Sequence, residues 1–254
     1  MQLLGVTILR TRVVVIDFFF EYNGSDFIFH PFSMASIGSR KTSAAQVKLA
    51  ALRCEYLVNP LSVDVAKPRL SWIIESQERG VLQTAYEVLV ASTQKLLDQD
   101  HGDLWESARV ATDQSNQVLY AGAPLGSRAT CFWKVRVWDN HGHMSDFSKP
   151  AMWRMGLLTN GDWKAQWIGL KADPSADLCP APYVRKEFVL RRGVRRAFVY
   201  VTARGVFIAN INGNRVGKEF LSPEWSDYRK RIQYFTYDVT SQLRNGANCV
   251  GIII

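Results

Sequence analysis

The residues best suited to contact a ligand lie in the last quarter of the chain. Trp225, Asp227 and Tyr228 follow one another closely in a turn-rich segment, and Asn210 and Asn212 flank a predicted hairpin. A sugar ring offers apolar faces that stack on Trp and Tyr, and hydroxyl groups that hydrogen-bond with Asp and Asn. These five residues are therefore our candidates for carbohydrate contact. The alternative, that Trp225 has a structural packing role, stays open.

Paired acidic residues are a second possible source of chemistry, because glycoside hydrolysis generally needs two carboxylates that flank the scissile bond. The chain has 23 acidic residues, among which Asp64 and Asp227 lie in suggestive surroundings. A structural role in a turn or a helix cap explains the presence of both residues better than a catalytic role does. We therefore assign no catalytic residue to this chain.

Metal-ligating residue types are concentrated at Asp139, His141, His143 and Asp146. Alternate histidines on a strand or tight loop can share one metal ion. The same stretch also forms an ordinary hairpin turn, which is the interpretation we favour. Since the sequence also lacks a Gly-x-Ser-x-Gly elbow and a phosphate-binding Gly-rich loop, we expect neither a metal site nor a cofactor.

Cysteine spacing and charge exclude further classes of site. The four cysteines never occur as Cys-x-x-Cys, so the sequence predicts no redox or zinc pair. The net charge is +8, and much of the excess lies in residues 185–196 and 229–231. Basic patches can bind nucleic acid, but no nucleic-acid-binding motif accompanies them. We interpret these side chains as solvated strand ends and expect no nucleic-acid partner.

The first 47 residues lack a clean periodicity, and we expect them to form a poorly structured extension. Arg10, Arg12 and Asp17 interrupt the apolar residues, so this segment is not a convincing signal peptide. The chain has no apolar run of 18 residues, and we expect no membrane span. Localisation stays open between secreted or periplasmic and cytoplasmic.

From about Val47 the sequence changes to short segments rich in Val, Ile, Tyr and Trp, with turn residues between them. Such spacing is typical of an all-β sandwich. Apolar positions alternate, which places one set of side chains inside, at Leu70, Trp72 and Ile74, at Tyr86, Val88 and Val90, and at Trp133, Val135 and Val137. The pattern breaks within residues 156–169, so we place a domain boundary near residue 159.

The second half is again β-rich. Residues 198–201 form a continuous apolar run, and Asn212-Gly213 between two apolar segments predicts a hairpin, because both turn positions favour positive φ. Residues 250–254 form a last apolar strand without a polar tail. Because unpaired strand edges are hazardous, we expect the domain to continue past this point.

Several segments, taken in order, resemble the N-terminal part of bacterial and fungal α-L-rhamnosidases. The first half is similar to their fibronectin-III-like domain at Pro68-Arg69-Leu70-Ser71-Trp72, Leu104-Trp105-Glu106-Ser107 and Trp133-Lys134-Val135-Arg136-Val137-Trp138-Asp139. The second half is similar to the following jelly-roll domain at Asn212-Gly213-Asn214-Arg215-Val216-Gly217, Pro223-Glu224-Trp225-Ser226-Asp227-Tyr228 and Thr236-Tyr237-Asp238-Val239-Thr240. Each motif is weak alone, but their order and spacing are specific.

The resemblance implies an all-β chain of two consecutive β-sandwiches. The first is a fibronectin-III/Ig-like domain over residues 48–158. The second is a galactose-binding-like jelly roll over residues 159–254, truncated at its C-terminal end. One departure from the family pattern is Ile208, which stands where the family often has a Glu.

The function that the resemblance implies is that of an accessory portion of a glycoside hydrolase, inactive alone. The family's catalytic acids lie on an (α/α)6 barrel that follows these domains. Expected partners are therefore carbohydrate and, in a full-length version, the catalytic barrel. Two alternatives stay open: a free-standing rhamnoside-binding module, and a non-enzymatic interaction protein that uses the sandwich surface and its basic patch.

Overall fold

The computed structural model of the protein describes residues 14–22, 47–169 and 181–254. These residues form two compact units, which divide between Asp162 and Trp163. The first unit contains residues 47–162. The second contains the described residues from 163 onward together with residues 14–22.

Nearly all regular structure in the described chain is β, which confirms the predicted fold class. The two units contain short helical segments at α1 (Gln94–Asp98), Asn160–Asp162 and Thr240–Gln242. The strands are β1 (Val14–Tyr22), β2 (Val47–Cys54), β3 (Arg69–Ser76), β4 (Gln83–Ala91), β5 (Trp105–Glu106), β6 (Val118–Leu119), β7 (Thr130–Asp139), β8 (Ala151–Arg154), β9 (Tyr183–Leu190), β10 (Val194–Ala203), β11 (Ile208–Ile211), β12 (Asn214–Arg215), β13 (Phe235–Asp238) and β14 (Gly246–Ile253).

The first unit is a sandwich of two antiparallel sheets, with strand orders β2-β3-β6 and β5-β4-β7-β8. The predicted alternation along β7 is confirmed, because Trp133, Val135 and Val137 are all buried. Trp72 is buried opposite, and its indole Nε1 donates a hydrogen bond of 3.0 Å to Gln83 Oε1. Most residues that the period-two pattern selected are therefore buried in this core, which also contains Tyr120, Trp153 and Met155 from outside that pattern.

The second unit is also a pair of antiparallel sheets, with strand orders β1-β10-β13 and β12-β11-β14-β9. Its core includes Val199 and Val201 from β10 and Val250 and Ile252 from β14. The predicted hairpin is confirmed: β11 pairs with β12 through Asn212 and Gly213, which have φ values of 51° and 85°.

Strand β1 corrects part of the expectation for the first 47 residues. Val14–Tyr22 is not a poorly structured extension but a nine-residue strand that pairs with β10 along its whole length. Its Val14, Ile16, Phe18 and Phe20 contribute to the core of the second unit. The period of two is hidden because the outward positions of this strand include apolar residues as well. Residues 1–13 and 23–46 lie outside the described part of the chain.

Candidate functional site

The segment at residues 218–231, which we call the aromatic loop, connects β12 towards β13 and presents large apolar side chains to solvent. Its backbone is anchored at several points. Ser222 is buried, and its carbonyl oxygen accepts a hydrogen bond of 2.8 Å from the Phe207 N–H. The Tyr228 hydroxyl accepts a bond of 3.0 Å from the Gly205 N–H. The loop is therefore fixed to the strand connection beneath it.

Trp225 is the most exposed large apolar side chain of the described residues, at 87%. Its ring lies 5.9 Å from the ring of Tyr228, with 42° between the two planes. A Trp that is held on an anchored loop and left open to solvent is suited to stack against the apolar face of a sugar. The indole does not belong to the core of its own unit.

Asp227 lies between these two rings in sequence and pairs with a cation. The Arg229 Nε is 3.1 Å from Asp227 Oδ1, and the Arg229 backbone N–H donates to the same oxygen. These hydrogen bonds hold the pKa of the Asp227 carboxyl below its usual value. The ionised carboxylate and the guanidinium are polar groups of the kind that bind sugar hydroxyls.

The two asparagine candidates have a different position, on the β11–β12 hairpin. Asn212 Nδ2 donates to Asn248 Oδ1 and to the Gln242 carbonyl, each at 2.8 Å. Its Oδ1 accepts a bond of 2.9 Å from the Cys249 N–H. Asn210 is half-buried within β11. The Asn212 amide is thus used to fix the hairpin, whereas Trp225, Asp227 and Tyr228 share one loop.

The Asp139 turn has the structure of a capped hairpin. The Asp139 carboxylate accepts the backbone N–H groups of His141 and His143, at 2.9 and 2.8 Å. Burial tends to raise the pKa of Asp139, but these bonds and the nearby His143 ring outweigh it and lower the pKa. In the described part of the chain, no cluster of three or more His, Cys, Asp or Glu residues is placed to hold a metal ion.

Several of the other reactive and charged side chains are buried in a core or paired with an opposite charge. Cys54 and Cys131 are buried thiols of the first unit, and burial raises the pKa of both. Of the basic residues, Arg195 pairs with Glu21 and Arg229 with Asp227. No helix in residues 14–22, 47–169 or 181–254 is long and apolar enough to cross a membrane.

Two family models match this chain, one in each unit. The "Rha78A-like, N-terminal immunoglobulin domain" covers residues 49–159, and the "Alpha-L-rhamnosidase N-terminal domain" covers residues 192–254. They occur in the order expected from the sequence motifs. The chain belongs to the N-terminal region of the α-L-rhamnosidase family.

Individual rhamnosidases show the same relationship. An α-L-rhamnosidase of Formosa agariphila is 39% identical over 201 residues, which is 76% of this chain and 22% of the relative. The structure of the enzyme from Dictyoglumus thermophilum superimposes with a TM-score of 0.79 at 34% identity, over 84% of this chain and 25% of the other. The Streptomyces avermitilis enzyme complexed with L-rhamnose shares the fold, with a TM-score of 0.67 at 22% identity, over 82% of this chain and 36% of the other. The chain thus spans only about a quarter of the Formosa and Dictyoglumus proteins.

Sequence reasoning missed part of the exposed surface of this rhamnosidase region. Phe220 is 80% exposed and Leu221 is also exposed, both within the aromatic loop. The Arg215 guanidinium carbon lies 5.0 Å from the centroid of the Phe220 ring. The only signal in the sequence is a Phe-Leu pair between Glu219 and Ser222, and such a pair more often indicates a strand than an exposed loop.

Proposed function

We propose that this chain is the accessory N-terminal portion of an α-L-rhamnosidase-type glycoside hydrolase. In this role it supports a catalytic barrel, contacts carbohydrate through the aromatic loop, and does not hydrolyse glycosides alone. The observation that carries the carbohydrate contact is the exposed Trp225 ring beside Tyr228, on a loop anchored by Gly205 and Phe207.

Anchoring matters because an ordered loop loses little conformational freedom when it binds. Sugars bind weakly to proteins unless a flat apolar surface is already in place, since their hydroxyl groups are well solvated by water. Trp225 supplies that surface, and Asp227 with Arg229 supplies an acceptor and a donor close by in sequence. The expected ligand class is a rhamnoside or a rhamnosylated glycan, as for the relatives.

Calorimetric titration with L-rhamnose and with a rhamnosylated glycan tests the carbohydrate contact. We expect saturable binding that Trp225→Ala weakens by about fivefold, which corresponds to ~1 kcal/mol of lost stacking. Tyr183→Ala is the matched control, because Tyr183 is an exposed aromatic residue on β9, outside the loop. If no rhamnoside gives binding heat, or if both variants lose the same amount of affinity, the aromatic loop is not the carbohydrate contact.

The accessory role is tested by turnover. We expect the purified chain to release no chromophore from an aryl α-L-rhamnoside under conditions in which the Dictyoglumus enzyme does. Detectable turnover that purification does not remove would overturn this part of the proposal, whatever the result of the binding experiment.

A free-standing carbohydrate-binding module is the second candidate, and the exposure of Trp225 favours it equally. The two candidates differ in what happens when a catalytic barrel from a relative is added in trans. An accessory portion is expected to associate with the barrel and raise the melting temperature of the barrel. An independent module is expected neither to associate with the barrel nor to change that melting temperature. Salt-sensitive capture by an anionic matrix alone would instead favour the interaction-protein alternative.

A further inference from the structure

The second unit contains a cleft that the proposed function does not use. It has a volume of about 550 Å³ and lies between the core faces of β1 and β9. Ile16 and Phe18 line one wall, and Val184, Phe188 and Val250 line the other. This volume is within the range of small-molecule sites, which are about 300–1,000 Å³ and mostly apolar.

Lys186 is the unusual residue of this cleft. Side chains alternate along a strand, so residues 184, 186 and 188 of β9 face the same side. Val184 and Phe188 pack against the core, and the direct partner of Lys186 on β14 is the buried Val250. Lys186 therefore points to the core face of the sheet, among apolar side chains.

The charge of Lys186 has no partner among the described residues. Its two neighbours Arg185 and Glu187 also line the cleft, but they pair with each other at 2.5 Å. Lys186 makes no hydrogen bond or ion pair with any residue in the described part of the chain. The apolar walls of the cleft and this unpaired ammonium group are complementary to a molecule that has an apolar body and one anionic end.

We infer that this cleft binds a small amphipathic molecule, with an aliphatic or aromatic body and a single carboxylate that pairs with Lys186. Phe18 and Phe188 are in contact, with ring centroids 5.4 Å apart, and close one side of the cleft, so the apolar body of the ligand replaces solvent against their outer faces. The carboxylate meets the ammonium group at the edge of the sandwich, where both groups keep part of their hydration. The inference stands independently of the aromatic loop and of carbohydrate binding.

Decanoate and decanol are suitable probes because they share the apolar chain and differ in the charged end. We expect calorimetry with the full chain to give saturable binding of decanoate, and binding of decanol about fivefold weaker, as for the loss of one charge-assisted contact near solvent. Lys186→Met keeps an unbranched apolar stem and is expected to reduce decanoate binding to the level of decanol. Lys230→Met, on the exposed aromatic loop, is the control and is expected to bind decanoate as the original chain does.

Three results would overturn the inference. Equal affinity for decanoate and decanol would show that Lys186 does not select an anion. No binding of either probe by a folded chain would leave Lys186 as an inward charge that protects an edge strand. The third result is a dimer of the original chain that persists when decanoate is added but is absent in the Lys186→Met variant. It would show that a second copy of the chain covers the cleft. Circular dichroism of each variant separates these results from a failure to fold.

Discussion

The first unit is built from one continuous stretch of chain, whereas the second draws its edge strand β1 from residues that precede the first unit. Both units are antiparallel sandwiches with an apolar interior. They differ in how far apart in sequence their contacting residues are. Val14 pairs with Ala203, so the whole first unit lies between these two partners in the chain.

Part of the second unit therefore lies outside the region of the chain that the family models cover. Residues 14–22 precede the 49–159 match, and yet they supply a complete strand to the unit that contains the 192–254 match. Closing a longer loop costs more conformational entropy, although the cost grows only logarithmically with loop length. The apolar contacts of β1 must offset that cost, so the second unit depends on a distant segment in a way the first does not.

The largest effect on stability is expected from Trp133→Ala in the first unit. The Trp133 side chain is fully buried in the core of the continuous sandwich, and loss of a large buried aromatic residue costs about 3–5 kcal/mol. Urea denaturation followed by fluorescence measures the change. Trp225→Ala is the control, because its ring is exposed, and it is expected to change the free energy of unfolding by less than about 0.5 kcal/mol. A large loss in the control would contradict the exposed position of the aromatic loop.

A smaller and more local effect is expected from Val14→Ala in β1. Val14 is buried in the second unit, and its truncation should lower the free energy of unfolding of that unit by about 2 kcal/mol. Hydrogen–deuterium exchange with mass spectrometry is expected to show faster exchange in β10 and β13, with β7 unchanged. Tyr22→Ala, at the exposed end of the same strand, should leave all three unchanged. Faster exchange in β7 would mean that the two units do not unfold separately.

The sequence predicted the first unit better than the second because its pattern is complete within short windows. In β7 the alternation of Trp133, Val135 and Val137 with more polar residues shows which side is inside. In β1, Val15 and Phe19 are apolar on the opposite side from Ile16 and Phe18, which removes the contrast. A strand of this kind is defined by its distant partner, and a single sequence does not reveal that partner.

In the candidate site, too, the sequence predicted what is local in the chain and missed what depends on distant contacts. The sequence places Trp225, Asp227 and Tyr228 in one turn-rich segment, and in the structure they share one loop. It did not separate them from Asn212, whose amide is committed to Asn248 and Gln242 in the hairpin. That distinction depends on contacts between residues far apart in the chain. Which face of the sheet Lys186 lies on likewise follows from the pairing of β9 with β14, which the sequence alone does not show.

The smallest effect predicted for a single residue concerns pH and again contrasts the two units. Burial raises the pKa of the Cys131 thiol to about 12, whereas a thiol in an unfolded chain has a pKa of about 8.5. The fold therefore favours the neutral thiol. This contribution is fully present below the unfolded pKa and is lost as the pH rises towards the folded pKa. Between about pH 8 and pH 9.5, the first unit should lose about 1 kcal/mol through this thiol alone.

The second buried thiol adds to the same dependence, because burial raises the pKa of Cys54 as well. Both thiols belong to the first unit, whereas Cys249 of the second unit is only half-buried. Urea denaturation at the two pH values, with a reductant present, measures the loss. A variant with Cys54→Ala and Cys131→Ala is expected to be less stable at pH 8 but to lose little more at pH 9.5. An equal loss in the variant and the original chain would show that other groups titrate in this range, and that burial of the two thiols does not distinguish the first unit from the second.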